Sequence, residues 1–284
     1  MDWEHLKWQD FPAAVEISKG VCVIPMGATE KHGLHLSVGT DNFVVEALAR
    51  QAAQLEPVVL FPTFRFGQLN NLQHMNGSIC LSTRLMLDYL EELCREIARS
   101  GFKKILILNG HGGNPPLLNT LTSIIRENKK DYVVAWVNGY LPEFSQLPVA
   151  IRENPEAYSY LMEEDLQVLD SYFAQPMESG HADFDETLGH LAACPEAVDL
   201  SMMDKEDGRN IHRMDHLTSM NINTSQIWFA NQPHHHHASY HPGANPRLGK
   251  ALMQFRAEHL AKLFRVYKED TELLTHNEEW NRAW

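Results

Sequence analysis

Two short apolar runs, Val21–Pro25 (VCVIP) and Lys104–Leu108 (KILIL), restrict the fold more than any other feature of this chain. A strand with one wet face alternates apolar and polar side chains, so continuous runs like these belong to strands covered on both faces. Each run is followed by a glycine-containing segment and then by residues with helical spacing. Asp41–Gln54 places Val44, Val45, Leu48 and Ala52 on one side. Thr83–Ser100 repeats Met86, Leu90, Leu93 and Ile97 and stops at Ser100-Gly101, a helix C-terminal signal. Pro57–Pro62 (PVVLFP) and Tyr132–Trp136 (YVVAW) read as further strands, Pro115–Arg126 as a helix, and Arg247–Tyr267 as a long amphipathic helix. This alternation predicts an α/β protein, a three-layer α/β/α sandwich around a mainly parallel central sheet. The expected organisation is a single domain over 1–284, with an irregular excursion over about 138–180 that is rich in Glu, Tyr and Pro.

Composition narrows the function. A formal net charge of -13 leaves no basic surface for nucleic acid or anionic membrane. The cysteines Cys22, Cys80, Cys94 and Cys194 are far apart and form no CxxC pair, as expected of buried thiols in a reducing compartment. The N-terminal residues carry no signal-peptide pattern, and no stretch reaches the ~20 apolar residues that span a bilayer. A cytoplasmic location is the resulting expectation.

In a parallel sheet, reactive residues collect beyond the carboxyl ends of the strands. Gly27–Asp41 (GATEKHGLHLSVGTD) follows the first apolar run and offers Glu30, His32, His35 and Asp41. Gly33 and Gly39 let this segment fold back, and in extended backbone Glu30 and His32 project to the same side. Asp41 stands at the expected helix start, where an N-cap role is common; beside Glu30 and His32, a ligand role is the stronger reading. Asn109–Asn114 (NGHGGN) follows the second run and sets His111 among glycines. A glycine-rich turn with a hydrogen-bonded histidine explains it as well as a ligand does, whereas a P-loop would need a lysine. His181–Thr187 (HADFDET) crowds His181, Asp183, Asp185 and Glu186 together. Buried without a cation, such groups repel and desolvate at high cost; a solvated acidic loop avoids this. Mixed carboxylate and imidazole donors suit Zn²⁺, Mn²⁺ or Fe²⁺ better than Ca²⁺. A carboxylate shared between two such ions is the arrangement of water-activating two-metal hydrolases.

These motifs carry a resemblance. PMGATEKHGLHLSVGTD resembles the opening signature of the creatininase (creatinine amidohydrolase) family, NGHGGN its second signature, and HADFDET its His-Ala-x-x-x-Glu-Thr signature. Gly77-Ser78-Ile79 and Gly243–Gly249 fall in the family's order. The resemblance implies an α/β/α fold, homo-oligomers that are often hexamers, and hydrolysis of cyclic amides or related small molecules. It implies two divalent ions per subunit, one held by Glu30, Asp41 and His111 and the other by His32 and Asp41, with Asp41 bridging. His181 falls at the family's catalytic histidine. The chain departs from creatininase at Gly113, where that enzyme has a carboxylate ligand; Glu186 is the candidate replacement. It departs again at Gly180, where creatininase has an acid, and over Asn70–Asn76.

The expected chemistry is attack of an activated water on a carbonyl carbon, with the Gly112 or Gly113 amide at the oxyanion and His181 protonating the leaving group. A small cyclic amide or a formamide is the favoured substrate. Ring opening of a cyclic ketone such as a keto-inositol is the second reading, and a non-catalytic metal- or ligand-binding protein the third. The histidine run in Pro233–His241 (PHHHHASYH) reads first as a solvated loop, with an extra surface metal site or a lining of the active-site mouth as alternatives, and receives no role. Trp3, Trp8, Trp136, Trp228, Trp280 and Trp284 read as core or interface residues, with Trp136 and Trp228 as candidate platforms for a planar substrate.

Overall fold

The structure, a computed structural model, describes residues 1–69, 72–175, 180–237 and 239–283. In chain order it runs α1 (Phe11–Ile17), β1 (Val21–Met26), α2 (Thr40–Leu55), β2 (Val59–Leu60), α3 (Thr83–Arg99), β3 (Lys104–Asn109), α4 (Pro115–Glu127) and β4 (Val133–Asn138). It continues with α5 (Leu147–Glu153), α6 (Glu163–Phe173), α7 (Phe184–Ala193), α8 (Asp215–Thr218), α9 (Ile227–Asn231), α10 (Pro246–Glu269) and α11 (Glu272–Ala283).

The strands form a sheet in the order β2-β1-β3-β4, every pair parallel. The two apolar runs are its central strands, paired from Val21–Lys104 to Met26–Asn109, so they end level with each other. Side chains alternate between faces. Cys22, Ile24, Ile105 and Ile107 pack with Met86, Leu90 and Ile97 of α3 and with Leu117 and Leu121 of α4. On the opposite face Val21, Val23, Leu106 and Leu108 pack with Val45 and Leu48 of α2 and with Leu260 and Phe264 of α10. The three layers follow directly. Each fully buried leucine in these interfaces is worth roughly 1.5–3 kcal/mol of transfer free energy, and Leu90 at the centre of α3 is wholly buried. Truncating it to alanine would cost about 2–5 kcal/mol.

Two local readings change. The Pro57–Pro62 strand contracts to Val59–Leu60, because proline cannot donate to a ladder and stands at both ends of that run. Helix α2 begins at Thr40 with Gly39 as its N-cap, so Asp41 lies inside the first turn and does not cap it. The excursion contains α5, α6 and short 3-10 turns. Its Phe144, Leu147, Leu169 and Tyr172 build a third core with Phe184 and Leu188 of α7 and Leu248 and Leu252 of α10; residues 176–179 lie outside the described residues. Among the described residues, no helix is long and apolar enough to cross a membrane.

The topology fixes where a site can form. After β1 the chain turns to α2 on one face, and after β3 to α4 on the other. The neighbouring strands β1 and β3 therefore flank a switch point, and a crevice opens beyond their carboxyl ends.

Candidate metal centre

The loop leaving β1 is folded into a tight reversal. The Glu30 N–H donates to the Val38 carbonyl (3.0 Å), and His32 bridges Leu36 in antiparallel fashion. Gly33, at φ +60°, makes the turn between them. The reversal buries Glu30 and His32 completely and carries the chain back to Asp41. The loop leaving β3 is braced by its own asparagines. Asn109 Oδ1 accepts from the His111 N–H (3.1 Å) and from Asn114 Nδ2 (3.0 Å), while Asn114 Oδ1 accepts from the Gln68 N–H (2.8 Å). Held in this way, the Gln68 carbonyl accepts a hydrogen bond from His111 Nε2 (3.2 Å). A carbonyl only accepts, so the hydrogen is on Nε2 and Nδ1 is the nitrogen turned into the crevice.

His111 Nδ1 lies 2.6 Å from Glu30 Oε1 and 3.1 Å from Asp41 Oδ2. Both oxygens are buried, and neither has a hydrogen-bond partner among the described residues. A second set adjoins the first. His32 Nδ1 donates to the Glu30 carbonyl (3.1 Å), which turns Nε2 toward Asp41 Oδ1 (3.0 Å) and Glu186 Oε2 (3.5 Å). Asp41 thus gives one oxygen to each set. Each triad, Glu30–Asp41–His111 and His32–Asp41–Glu186, offers ligand atoms within 4.8 Å of one another. Orphaned carboxylate oxygens facing imidazole nitrogens deep in the protein fit divalent cations.

The electrostatics agree. Burial opposes a charged ring at His32, yet Asp41 and Glu186 raise its pKa to about 10. Burial likewise opposes charge at His111, but Glu30 and Asp41 hold it well above the ordinary histidine value. Glu186 is pushed well above the carboxylate range by burial, with Asp41 and Asp183 adding to the effect of burial. Without a cation, this pocket draws in protons.

The HADFDET residues divide their tasks. Asp183 caps α7, accepting from the Glu186 N–H (3.0 Å) and the Gly180 N–H (2.7 Å). Asp185 makes two 2.7 Å bonds with the buried Arg256. The Thr187 hydroxyl donates to the Asp183 carbonyl (2.6 Å) and accepts from His35 Nε2 (2.9 Å). His35 is thereby a structural residue outside both triads. All three carboxylates border the crevice, and of the three Glu186 joins a candidate ligand set, while also accepting from the Ala182 N–H (2.6 Å).

His181 reaches the same centre. Its Nε2 donates to the Lys31 carbonyl (2.7 Å), and its ring lies 4.2 Å from that of His32. Burial, and next the charge on His32, hold its pKa well below the ordinary value. A cavity of about 740 Å³ opens over these groups, lined on its apolar side by Leu69, Leu72, Trp228 and Phe229. Gly112 and Gly113 also line it. Their reasons for being glycine differ. A Cβ on Gly112 would meet nothing within 4 Å, whereas one on Gly113 would lie 2.4 Å from His111 Nε2 and 2.7 Å from the Gln68 carbonyl oxygen. At Gly180, φ is +151° and a Cβ would lie 2.9 Å from the His237 ring.

Sequence reasoning preferred a solvated loop for the histidine run and gave it no role. It is not a solvated loop: His235 and His236 are buried. His235 Nε2 lies 2.7 Å from Glu30 Oε2, and His237 Nδ1 accepts from the His181 N–H (2.9 Å). Four consecutive histidines carry no periodicity that marks which one turns inward, so no sequence signal separated His235 from its neighbours. Of the tryptophans, Trp228 lines the cavity, whereas Trp136 packs against the α3 and α4 core, bonds Asn119 and does not line it. Trp3 packs among Phe11, Phe61 and Phe102, Trp8 is 89% exposed and so outside the core, and Trp280 stacks under Arg126. Trp284, Asn70 and Asn71 lie outside the described residues.

Comparison with known proteins gives this arrangement a family. A family model described as creatinine amidohydrolase matches residues 4–264. The creatinine amidohydrolase of Pseudomonas putida is 25% identical over 115 residues, 39% of this chain and 44% of that protein. The mycofactocin precursor peptide peptidase of Mycobacterium tuberculosis is 31% identical over 119 residues, 38% of this chain and 47% of that protein. The 3-dehydro-scyllo-inosose hydrolase of Thermotoga maritima is 32% identical over 92 residues, 32% of this chain and 29% of that protein. The aligned segments thus span less than half the length of these relatives. A tryptophan-to-alanine mutant of creatininase superposes with a TM-score of 0.71 at 18% identity, covering 95% of this chain and 99% of that one. Creatininase solved with Mn gives 0.66 at 17% identity, with the same coverage. With the fold shared and the family model matching nearly end to end, this chain belongs to the creatininase family.

Proposed function

We propose that the chain is a divalent-metal-dependent hydrolase that cleaves a small cyclic amide or a formamide. The observation that carries this reading is the division of Asp41, with Oδ1 toward His32 and Oδ2 toward His111. Two ions (zinc, manganese or iron) fit the donors. Glu30, Asp41 and His111 would hold one, and His32, Asp41 and Glu186 the other, with Glu186 replacing the carboxylate missing at Gly113. Bound there, a pair of such ions supplies a water acidified toward neutral pH and a polarised carbonyl oxygen.

The remaining tasks belong to the protein. His181 gives its Nε2 hydrogen to the Lys31 carbonyl, and burial keeps the ring neutral, so Nδ1 begins as a base. It takes the proton released as water adds to the acyl carbon and passes that proton to the departing nitrogen as the carbon–nitrogen bond breaks. This refines the role expected from sequence, where His181 enters as an acid. The Gly112 and Gly113 amides are the candidate donors to the developing oxyanion. The apolar wall of Leu69, Leu72, Trp228 and Phe229 would seat a flat substrate and exclude water.

The Pseudomonas and Mycobacterium relatives, an amidohydrolase and a peptidase by name, favour carbon–nitrogen cleavage. The Thermotoga relative favours the second reading, hydrolytic opening of a cyclic ketone such as a keto-inositol. A non-catalytic binding protein is the third reading; in it His181 would join Glu30 and His32 as a further ligand set. The reading also carries a single domain over 1–284, a homo-oligomer (a hexamer among the candidates) and a cytoplasmic location.

The test is to purify the chain without chelators or nickel resin, measure its metal, and assay cyclic amides, formamides and cyclic ketones before and after EDTA. Released amine or formate that disappears with the metal supports the proposal. A new sugar acid selects the ketone reading, and full activity in metal-depleted protein rejects the scheme. Two bound ions with no turnover on any substrate favour the binding protein.

A further inference from the structure

One group touching the ligand cluster comes from the histidine run and has no part in either triad. His235 accepts a hydrogen bond at Nδ1 from Trp228 Nε1, at 2.7 Å. An indole N–H only donates, so Nδ1 carries no hydrogen and the ring's hydrogen sits on Nε2. That hydrogen is donated to Glu30 Oε2, 2.7 Å away. With Oε2 engaged, Oε1 is the Glu30 oxygen left facing His111 Nδ1. The His235 ring is held on both sides, stacked on Phe229 (5.2 Å between centroids, 24°) and against His181 (4.1 Å).

We infer that Trp228 and His235 form a positioning relay: the indole sets the tautomer of His235, and His235 fixes Glu30 so that it gives one oxygen to the ion shared with Asp41 and His111. The inference rests on the metal reading above and assigns a role to a segment outside that reading. Hydrogen bonds to a ligating carboxylate orient it, and losing one typically weakens metal binding by about 10–100-fold. Glu186, His32 and Asp41 receive nothing from this relay, so the second triad serves as an internal reference.

The experiment titrates the full chain, loaded with Mn²⁺ or Zn²⁺, with EDTA and counts the ions retained per chain. Wild type should release both ions at similar, high chelator concentration. His235→Ala should release one ion at about 10–100-fold lower chelator and hold the other as wild type does. His235→Gln, whose amide can still donate to Glu30 Oε2, should recover part of the loss. Trp228→Phe keeps an aromatic ring in the wall and removes the N–H with part of the indole; it should weaken the same single ion by about three- to tenfold. Retention of both ions at the wild-type level by His235→Ala or by Trp228→Phe would overturn the relay, as would loss of both ions together, while leaving the metal reading intact. A wild-type chain that holds no ion overturns both.

Discussion

The centre is assembled from two regions of different construction. Glu30, His32 and His111 sit on loops that leave β1 and β3, two strands paired residue by residue up to Met26 and Asn109, and Asp41 sits in the first turn of α2. Glu186, His181 and His235 come from residues 180–237, a region of short helices and turns that pairs with no strand of the sheet. Sheet register sets the position of the first group, since a one-residue slip would exchange the side chains packed into the two cores on either face and shift the point where each loop begins. The second group combines helix packing, since α7 carries Glu186 and seats Phe184 and Leu188 in the third core, with individual hydrogen bonds: Ala182 N–H to Glu186, His181 to the Lys31 carbonyl, His235 to Glu30. On the proposed reading, the β1 and β3 loops and α2 would supply one group of donors, and α7 with the turns around it the other.

Substitutions at the junction break this comparison most strongly. Asp41→Asn, which serves both triads, should remove both ions and lower activity by about a thousandfold or more, as seen when groups acting as a unit are disabled. Metal counting and initial rates check it; retention of both ions would end the bridging role. Glu186→Gln tests the donor on α7 alone. It should cost one ion and leave the Glu30–Asp41–His111 ion in place, so a variant retaining two ions would remove Glu186 from the ligand set.

A pH series sharpens the comparison further. In the metal-free protein Asp41 and Glu186 hold His32 protonated up to about 10, against the effect of burial. Metal binding must expel that proton and the one held on His111, so apparent affinity should rise with pH from neutral toward about 10, with protons released on loading. Calorimetry in buffers of different ionisation enthalpy measures the release; a pH-independent affinity would contradict the account.

The smallest effects separate the two glycines of NGHGGN. Gly113→Ala drives a methyl against His111 and the Gln68 carbonyl and should destabilise by about 1–3 kcal/mol while disturbing metal retention. Gly112→Ala enters open space and should stay within ~0.5 kcal/mol of wild type in denaturant melts. Equal behaviour of the two variants would mean that the loop rearranges freely and does not brace His111.

The same contrast explains what was legible in the sequence. Strand and helix periodicity located β1, β3, β4, α2, α3, α4 and α10 to within a few residues, because each buries a continuous or regularly spaced apolar face. The motif-bearing loops were legible for the same reason: a buried strand must end, and Glu30, His32 and His111 follow where it does. Asp41 was open to a capping role that the helix start at Thr40 removes. Of the second group, Glu186 and His181 could be named through family motifs, but His235 could not. Its burial depends on a tertiary bond to Glu30 across 205 positions, and nothing in HHHH distinguishes it locally. Trp228 and Trp136 looked alike for a similar reason, since only the fold decides which indole reaches the crevice.

The most direct test is a crystal structure of Mn²⁺- or Zn²⁺-loaded protein with anomalous diffraction. The account predicts two anomalous peaks about 3.5–4 Å apart, one among Glu30, Asp41 and His111 and the other among His32, Asp41 and Glu186. A single peak, or peaks that leave Asp41 outside the coordination of either ion, would contradict it.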